Sequence, residues 1–448
     1  MTVLVGFVRL LVLMLACSIA GCSIGVDREL LDRIAECEVR RDGIEFLIVQ
    51  SESSNDVVRQ AACHALARLA DPASEAVLAR AATDPDPKIA REAIFGLGRI
   101  PGTKESPALV AALRGSDASS RLLAATAIGQ RGDPASLDVL LWVASSDPEP
   151  RVREAAALAM ARVLGDPLSS LSEARCEALA AQLVELAGTA TTQGQATAIL
   201  RARLALPVRW AAPVADFSAA STPTNAAERE RRRAAITWLR VNGHLDADRL
   251  ARLRDDPDPV VRRILDSRRD RAAATTAPPT AAPTTFAVPG RDVPFEFLGS
   301  RPVLTFTTAR GSFDLALAPA VAPVHCWLLW QAAHRGHLDG TTIVDETPAA
   351  ALVLVAPATV VDDDGGSRRW PLLRSEPGTL PFARGTLGVE VSNDLDLGAG
   401  QFLLTLQGAP ELDGRATAIG RVVKGFDVVE ALVVGDVIHR VSESKVSR

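Results

Sequence analysis

The chain has 448 residues with 49 basic and 54 acidic side chains, which gives a net formal charge of −5. Apolar residues make up 48 % of the chain and charged residues 23 %, which fits globular domains and excludes a wholly disordered chain. A single hydrophobic core rarely grows beyond about 250–300 residues, so this length predicts two or three domains. The mild acidity, with no dominant basic block, gives no electrostatic basis for binding nucleic acid.

The N-terminal segment is almost wholly apolar from Val3 to Ala20, with one charge at Arg9. A small-residue site that closes a short apolar run is typical of a signal peptide, which we place at residues 1–21. The sequence Ile19-Ala20-Gly21-Cys22 resembles the bacterial lipobox, whose cysteine becomes the lipidated N-terminus. The alternative is an uncleaved anchor helix, which needs about 20 apolar residues. Both interpretations predict a membrane-tethered, extracytoplasmic protein, facing the periplasm in a cell with two membranes.

The other cysteines are widely separated along the chain. Cys37, Cys63, Cys176 and Cys326 form none of the close CxxC pairs that zinc or a redox motif requires. Cys63 and Cys176 lie within apolar helical patterns, where a free cysteine acts as a small hydrophobic side chain. The sequence therefore predicts no essential disulfide.

Two other segments have features of metal sites. His334 and His337 have a metal-like spacing but no third ligand nearby. The run from Asp362 to Gly366 lacks the spaced oxygen ligands of a calcium loop. We therefore expect neither a metal nor a cofactor.

Residues 27–270 contain a helical repeat. Equivalent apolar positions at Leu66, Leu97, Ile128 and Met160 are separated by 31, 31 and 32 residues, and around each of them apolar side chains recur at three- and four-residue steps. Acidic turns with proline, such as Asp84-Pro85-Asp86-Pro87, precede the helices, because proline is tolerated in a first turn and carboxylates complement the helix dipole.

The order Asp-Pro, Val-Arg, Ala-x-x-Ala-Leu resembles HEAT repeats of the short bacterial kind, and four units are clear between residues 43 and 167. The pattern is less regular over 168–250, where residues 212–226 are interpreted as a loop insertion. The segment Val260-Val261-Arg262-Arg263 opens a terminal unit. Such repeats predict a stacked α-solenoid that presents a long surface to other proteins.

A linker rich in Ala, Thr and Pro follows at 271–290, and such composition cannot bury a core. Beyond it, residues 291–448 show alternating strand patterns, glycine-rich turns and one apolar helix from Ala322 to His334. The predicted strands are Val303–Ala309, Gly311–Ala318, Gln401–Gln407 and Ala418–Lys424.

Several motifs in this region, taken in order, resemble the cyclophilin family of peptidyl-prolyl isomerases. They are Gly311-SFDLALAPAVAPVHCWLLWQAAHRGHLDGTTI-Val344, Arg384-Gly-Thr-Leu-Gly388, Gln401-Phe402, Leu412-Asp413-Gly414, Gly420-Arg-Val-Val423 and Gly435-Asp436-Val-Ile438. The resemblance implies an eight-stranded antiparallel barrel capped by two helices. The sequence thus predicts an α-solenoid followed by a cyclophilin-type barrel.

This sequence differs from the cyclophilin family at the positions of the family's catalytic and pocket residues. The resemblance places the family's catalytic arginine at Asp345, its second pocket phenylalanine at Leu403 and its pocket histidine at Ala416. It also leaves Ala350, Ala351 and Val353 where the family has other pocket residues, and Glu411 at the position of a tryptophan. The expected peptide groove keeps Gln401, Phe402 and Leu412, together with the changed Leu403.

Two functions follow from these features. One is a tethered scaffold whose barrel binds proteins or proline-containing peptides without isomerase activity, and Asp345 favours it. The other is an active peptidyl-prolyl isomerase that assists the folding of exported proteins, which the whole-domain resemblance implies.

Overall fold

The computed structural model describes residues 28–100, 106–165, 171–266, 293–347, 351–355, 359–361, 367–369, 373–389, 397–398 and 401–444. The expected signal peptide with Cys22, the linker at 271–290, Ala350 and the Asp362–Gly366 run lie outside these residues. The described part of the chain contains no helix long and apolar enough to cross a membrane.

The first part of the chain is an array of helices. Their bounds are α1 Arg28–Arg40, α2 Ile44–Gln50, α3 Asp56–Leu69, α4 Glu75–Ala81, α5 Pro87–Arg99, α6 Pro107–Leu113, α7 Ala118–Arg131, α8 Leu137–Ser146, α9 Pro150–Gly165, α10 Glu173–Gly188, α11 Gln193–Leu204, α12 Val208–Ala220, α13 Ala226–Val241, α14 Ala247–Arg254 and α15 Pro259–Asp266. The helices α3, α5, α7, α9, α11 and α13 pack against one another in this order, so they form the inner layer of a solenoid.

The helices begin where the sequence predicts them. Asp86 accepts a hydrogen bond from the backbone N–H of Lys88 at 2.8 Å, and Pro87 occupies the first helical turn. Asn55 caps α3 and Asp117 caps α7 in the same way. These side chains satisfy donors that the first turn of a helix leaves unpaired.

Small residues bring the inner helices into backbone contact. A Cβ on Gly98 would lie 2.6 Å from Cα of Ala127, and one on Gly129 would lie 2.7 Å from Cα of Ala159. Real Cβ atoms do not approach so closely, so glycine is required at both positions for this spacing between helices. The anchors Leu66, Leu97, Ile128 and Met160 are all buried, as the repeat pattern predicts.

One prediction for the array is wrong. The segment expected to be a loop at 212–226 contains most of α12, which continues through Pro213 to Ala220. Ala211 and Ala215 are buried on one face of this helix, and α12 packs against α13. Burial of an apolar face thus offsets the loss of a hydrogen bond at an interior proline.

The second part of the chain is a closed antiparallel barrel. Its strands are β1 Val303–Thr308, β2 Gly311–Leu317, β3 Thr341–Thr347, β4 Ala351–Val355, β8 Thr386–Val389, β10 Gln401–Thr405, β11 Thr417–Lys424 and β12 Val437–Glu443. Their order around the barrel is β1-β12-β3-β4-β10-β8-β11-β2. Two short pairs lie beside it, β5 Thr359–Val361 with β6 Ser367–Arg369, and β7 Leu373–Arg374 with β9 Leu397–Gly398. The helices of this part are α16 Phe295–Leu298, α17 Pro323–His334 and α18 Phe426–Ala431.

The barrel core and the last helices of the array share one apolar cluster. Ile236 of α13 and Val260, Val261 and Ile264 of α15 belong to the cluster that also holds the barrel residues, and α15 packs against α18. The four predicted strands and the helix after Ala322 are confirmed. The predicted class, a HEAT-like solenoid followed by an antiparallel barrel, is confirmed as well.

Candidate functional site

Residue 345, where the sequence resemblance places the family's arginine, lies in β3 of the barrel. The backbone pairs Ile343 with Leu354 and Asp345 with Val353, and the register shifts between the two pairs. Val353 is paired in turn with Leu403 on β10. The strand order thus brings three positions that the sequence singled out onto three neighbouring strands.

The strand β10 contributes residues with different environments. Leu403 is 4 % exposed and pairs with Gly388 of β8, while Gln401 at the strand start is half-buried. Phe402 was expected in the groove, and the structure describes it as a buried member of the barrel core cluster. Because successive side chains in a strand point to opposite faces, Phe402 packs with Leu404 in the barrel core.

A second apolar cluster lies at the predicted groove positions. The ring of Phe382 is 2 % exposed and packs with Ala409, Ala416 and Ala418, and the half-buried Leu412 packs against this cluster. Leu412 and Ala416 are the positions where the resemblance places groove residues. Phe382 therefore covers apolar surface that the shorter Ala416 side chain leaves open.

Sequence reasoning did not identify Phe382. The residue precedes the Arg384-Gly motif and carries no motif of its own, and it is one of 12 phenylalanines in the chain. No pattern in the sequence indicates that its ring lies beside Ala416, which is 34 positions further along the chain.

The turn after β10 is held by hydrogen bonds on the barrel side. The backbone N–H of Phe382 donates to Oδ1 of Asp413 at 2.6 Å, and the N–H of Ala409 donates to the carbonyl oxygen of Phe382 at 2.7 Å. The amides of Arg415 and Ala416 donate to the carbonyl oxygen of Leu412 at 3.0 Å. Asp413 thus ties the Leu412-Asp413-Gly414 turn to the segment that carries Phe382.

The helical array contacts the same turn from the other side. Arg99 donates from Nε to the carbonyl oxygen of Gly414 at 3.0 Å, and Gln130 donates to that of Asp413 at 3.1 Å. The Oδ2 atom of Asp413 lies 3.2 Å from the guanidinium of Arg162. Residues more than 280 positions apart therefore form one side of the candidate site.

A cavity of about 580 Å³ lies between the array and this turn. Pro410, Asp413 and Arg415 line it from the barrel, and Arg162 and Trp238 are among the residues that line it from the array. Ligand pockets commonly have volumes of about 300–1,000 Å³ and lie at domain boundaries. The cavity has apolar and charged walls, a combination that suits a peptide side chain.

A buried ion network joins the array to the barrel near the start of α17. The Nη1 atom of Arg68 lies 2.8 Å from Oε1 of Glu38 and 3.8 Å from Oε1 of Glu376. Glu376 also accepts hydrogen bonds from the amides of Val324 and His325 and from Nδ1 of His325, the last at 2.7 Å. All three donors and Arg68 stabilise a negatively charged Glu376.

The pKa values of this network follow from that arrangement. Burial by itself raises the pKa of Glu376, but the hydrogen bond from His325 and the charge of Arg68 outweigh it and lower the pKa. Burial also opposes the ionised form of Glu38, yet the charge of Arg68 brings its pKa below the ordinary value. Both carboxylates are therefore ionised partners of a buried arginine.

A second buried network joins the end of the array to α18. Arg233 donates two hydrogen bonds to Asp258, at 2.7 and 2.8 Å, and a third to Glu430 at 2.8 Å. Arg384 also donates to Glu430, at 2.9 Å, and its guanidinium lies 3.5 Å from the ring centroid of Phe426. The arginine of the Arg384-Gly motif is therefore paired with an acid on α18, which in turn pairs with an array residue.

Within the described residues, no group of three or more His, Cys, Asp or Glu side chains could hold a metal ion. Both ring nitrogens of His334 have partners within the barrel domain. Nδ1 lies 2.9 Å from the carbonyl oxygen of Trp330, and Nε2 lies 3.1 Å from Glu443. Cys37, Cys63, Cys176 and Cys326 are free thiols. Burial raises the pKa of Cys63 to about 12 and also raises that of Cys326.

These elements define a class of protein, a helical-repeat array joined to a closed eight-stranded antiparallel barrel. Residues 303–447 match the family described as cyclophilin type peptidyl-prolyl cis-trans isomerase/CLD, and residues 44–120 and 106–200 match HEAT repeats. Through its C-terminal barrel, the chain belongs to the cyclophilin-type peptidyl-prolyl cis-trans isomerase family.

Two curated relatives carry the name "Probable peptidyl-prolyl cis-trans isomerase", one from Brucella suis and one from Brucella melitensis. Each is 34 % identical to this chain over 133 residues, which covers 28 % of this chain and 68 % of the relative. Among solved structures, a cyclophilin-type isomerase from Cryptosporidium parvum is similar at 15 % identity with a TM-score of 0.29. That match covers 33 % of this chain and 100 % of the other.

Proposed function

We propose that this protein is a membrane-tethered, extracytoplasmic scaffold whose barrel binds proteins or proline-containing peptides with little or no isomerase activity. The observation that carries the proposal is an aspartate at residue 345 in β3, the position to which the resemblance assigns the family's arginine. The motifs on both sides of this position, from Gly311 to Val344 and from Arg384 to Gly388, support the assignment.

The argument against catalysis is electrostatic. Rotation about an X-Pro bond must break amide resonance, and the barrier is roughly 18–20 kcal/mol. A catalyst lowers it only by binding the twisted amide more tightly than either planar form. The resemblance assigns this role to an arginine that donates a hydrogen bond near the prolyl nitrogen. An ionised Asp345 is an acceptor only and supplies no such donor.

The groove residues support the same proposal. Ala416 replaces the family's histidine, and the ring of Phe382 packs over Ala416 and against Leu412. A proline ring would have to displace this aromatic side chain or bind beside it. The cavity next to Asp413 offers a second place for a peptide along the same rim.

The competing function is an active isomerase that helps exported proteins to fold. It is favoured by membership of the family and by the name that the two Brucella relatives carry. The test is cis/trans exchange in a proline peptide, measured by NMR with the full chain at catalytic concentration. A known active cyclophilin serves as the control. We expect exchange close to the uncatalysed rate, and a rate near that of the control would establish the enzyme instead.

Binding is tested separately from catalysis. The same proline peptide is titrated into the isotope-labelled chain, and we expect signals of the 408–416 segment to shift without line-broadening from exchange of the proline bond. If neither this segment nor β10 responds to any proline-containing peptide, the binding part of the proposal is wrong.

The tether is proposed from Ile19-Ala20-Gly21-Cys22 alone. Mass spectrometry of the protein from bacterial membranes should give an N-terminus at Cys22 with acyl chains attached. The Cys22→Ala variant should lose these chains and change its membrane fractionation. An N-terminus elsewhere without acyl chains would contradict the lipoprotein proposal.

A further inference from the structure

Each inner helix of the array directs at least one polar side chain at the barrel, and one from each helix forms a series. These six residues, which we call the inner ladder, come from α3, α5, α7, α9, α11 and α13 in turn. They are Arg68, Arg99, Gln130, Arg162, Arg201 and Arg233.

The ladder follows the repeat of the array. Its first four members each lie two positions after the buried anchors Leu66, Leu97, Ile128 and Met160, so that equivalent positions of successive repeats make equivalent contacts. The next member lies two positions after the buried Ile199 of α11. A contact repeated at the period of the fold belongs to a continuous surface rather than to one accidental pair.

The partners of the ladder are main-chain carbonyl oxygens and carboxylates of the barrel. Arg68 donates to the carbonyl oxygen of Val321 at 2.6 Å, and Arg201 donates to that of Gly408 at 2.7 Å. With the Gly414 and Asp413 contacts described above, four members reach backbone oxygen atoms. Hydrogen bonds to carbonyl oxygens depend on direction. These contacts therefore require a particular backbone conformation in the barrel as well as negative charge.

The charges on the two sides are complementary. Five of the six ladder residues are arginines, and the barrel places Glu376, Asp413 and Glu430 opposite them. Arg68 and Arg233 have side chains that are 2 % and 3 % exposed, so both ends of the ladder are removed from water. Charged hydrogen bonds that are shielded from water are strong, and a buried charge without its partner is costly.

We propose that the inner surface of the array is a docking surface for the C-terminal barrel of the same chain. The ladder residues bind backbone oxygen atoms at Val321, Gly408 and the Asp413-Gly414 turn. The first and last ladder residues, Arg68 and Arg233, pair with Glu376 and Glu430. Another protein could therefore bind the array only on its outer helices, unless it displaces the barrel from the ladder.

The experiment cuts the covalent connection in the full chain. A specific protease site is placed within the linker 271–285, the purified protein is cleaved, and the products are examined by sedimentation velocity. We expect the two pieces to sediment together at about 1 μM, because the ladder holds them with a Kd below that concentration. Separation of the unaltered pieces at this concentration would overturn the proposal.

The variant that tests the ladder is Arg99→Ala combined with Arg162→Ala. Both arginines are half-buried and bond the Asp413-Gly414 turn, so without them the cleaved pieces should bind each other more than about 100-fold more weakly. The matched control is Arg80→Ala combined with Arg209→Ala. These arginines are 63 % and 57 % exposed and pair with Glu52 and Glu173 within the array. Their substitution removes the same charge as the ladder variant does.

A second measurement separates loss of docking from loss of folding. Hydrogen exchange of the uncleaved chain should show faster exchange in 408–416 for the ladder variant, with unchanged protection in α7 and β10. The control variant should match the unaltered chain in both assays. Equal association of the two double variants, or equal exchange in 408–416, would overturn the role of the ladder.

Discussion

The ring of Phe382 lies directly against the backbone of Gly388, so close that a Cβ on Gly388 would overlap the ring. Gly388 pairs with Leu403 across β8 and β10, and Phe382 also contacts the Ala416 cluster. The absence of a side chain at one residue therefore makes room for the ring of another, which covers the apolar surface of the candidate groove.

The first prediction concerns this pair. Gly388→Ala should reduce the free energy of unfolding by about 1–3 kcal/mol, because the new methyl group overpacks against Phe382 and lies near the carbonyl oxygen of Thr417. Phe382→Ala should cost about 3–5 kcal/mol through the cavity it leaves. Urea unfolding of both single variants and the double variant is the measurement.

The double variant should be more stable than the sum of the single effects implies, since removing the ring relieves the clash with the new methyl group. Additive effects would mean that the two residues do not share this space. Phe382→Ala should also strengthen binding of a proline peptide, and unchanged binding would show that the ring does not restrict the groove.

The second prediction concerns the charge at residue 345. Asp345→Arg should restore little isomerase activity, because the resemblance places a histidine and a phenylalanine of the family at Ala416 and Leu403. Exchange of a proline peptide measured by NMR provides the check, with Glu346→Arg as the matched control for an added charge on β3. Restoration to the rate of an active cyclophilin by Asp345→Arg alone would show that Ala416 and Leu403 do not limit isomerase activity.

The third prediction concerns the buried arginine between the array and α18. Arg233→Ala should lower the free energy of unfolding by about 3–5 kcal/mol, because Asp258 and Glu430 then keep buried charges without their partner. Arg231→Ala, two residues away and 21 % exposed, should change it by no more than about 1 kcal/mol. Chemical unfolding followed by circular dichroism compares the two, and equal effects would contradict the buried role of Arg233.

The fourth prediction is a pH dependence that comes from Glu376. Its pKa is lowered in the folded protein, so its contribution to stability is present above the ordinary glutamate value of about 4.3 and is lost as the pH falls through the folded pKa. Glu376→Gln should therefore be less stable than the unaltered chain at neutral pH, with a difference that shrinks on acidification. A difference that stays constant between about pH 3 and pH 7 would contradict this linkage.

The fifth prediction uses the cysteines. Thiol reagents attack the thiolate, so the raised pKa values of Cys63 and Cys326 predict slow labelling in the folded protein. After unfolding, the lipid-anchored protein should show the four thiols of Cys37, Cys63, Cys176 and Cys326. Labelling of all six cysteines would mean that the N-terminus is neither processed nor acylated.

The repeat period, the helix starts and the barrel strands could be predicted from the sequence because each depends on local patterns. Asp86 and Pro87 mark a helix start through their own backbone chemistry, and Leu66 or Leu97 recur at a fixed step. The assignment of Asp345 to the family's arginine position also comes from neighbouring motifs, and it stays a prediction. The α12 helix is the exception, since Pro213 suggests a break that packing against α13 overrides.

Other features depend on residues that are distant in the chain. The side of β10 to which Phe402 points follows from the pairing of whole strands, and the place of Phe382 beside Gly388 follows from how the barrel closes. The arginines of the inner ladder have a visible period, but their partners lie up to 315 positions away. Hydrogen bonds and buried ion pairs form only when both partners are correctly placed in space. The contacts between the array and its own barrel therefore could be found only in the tertiary structure.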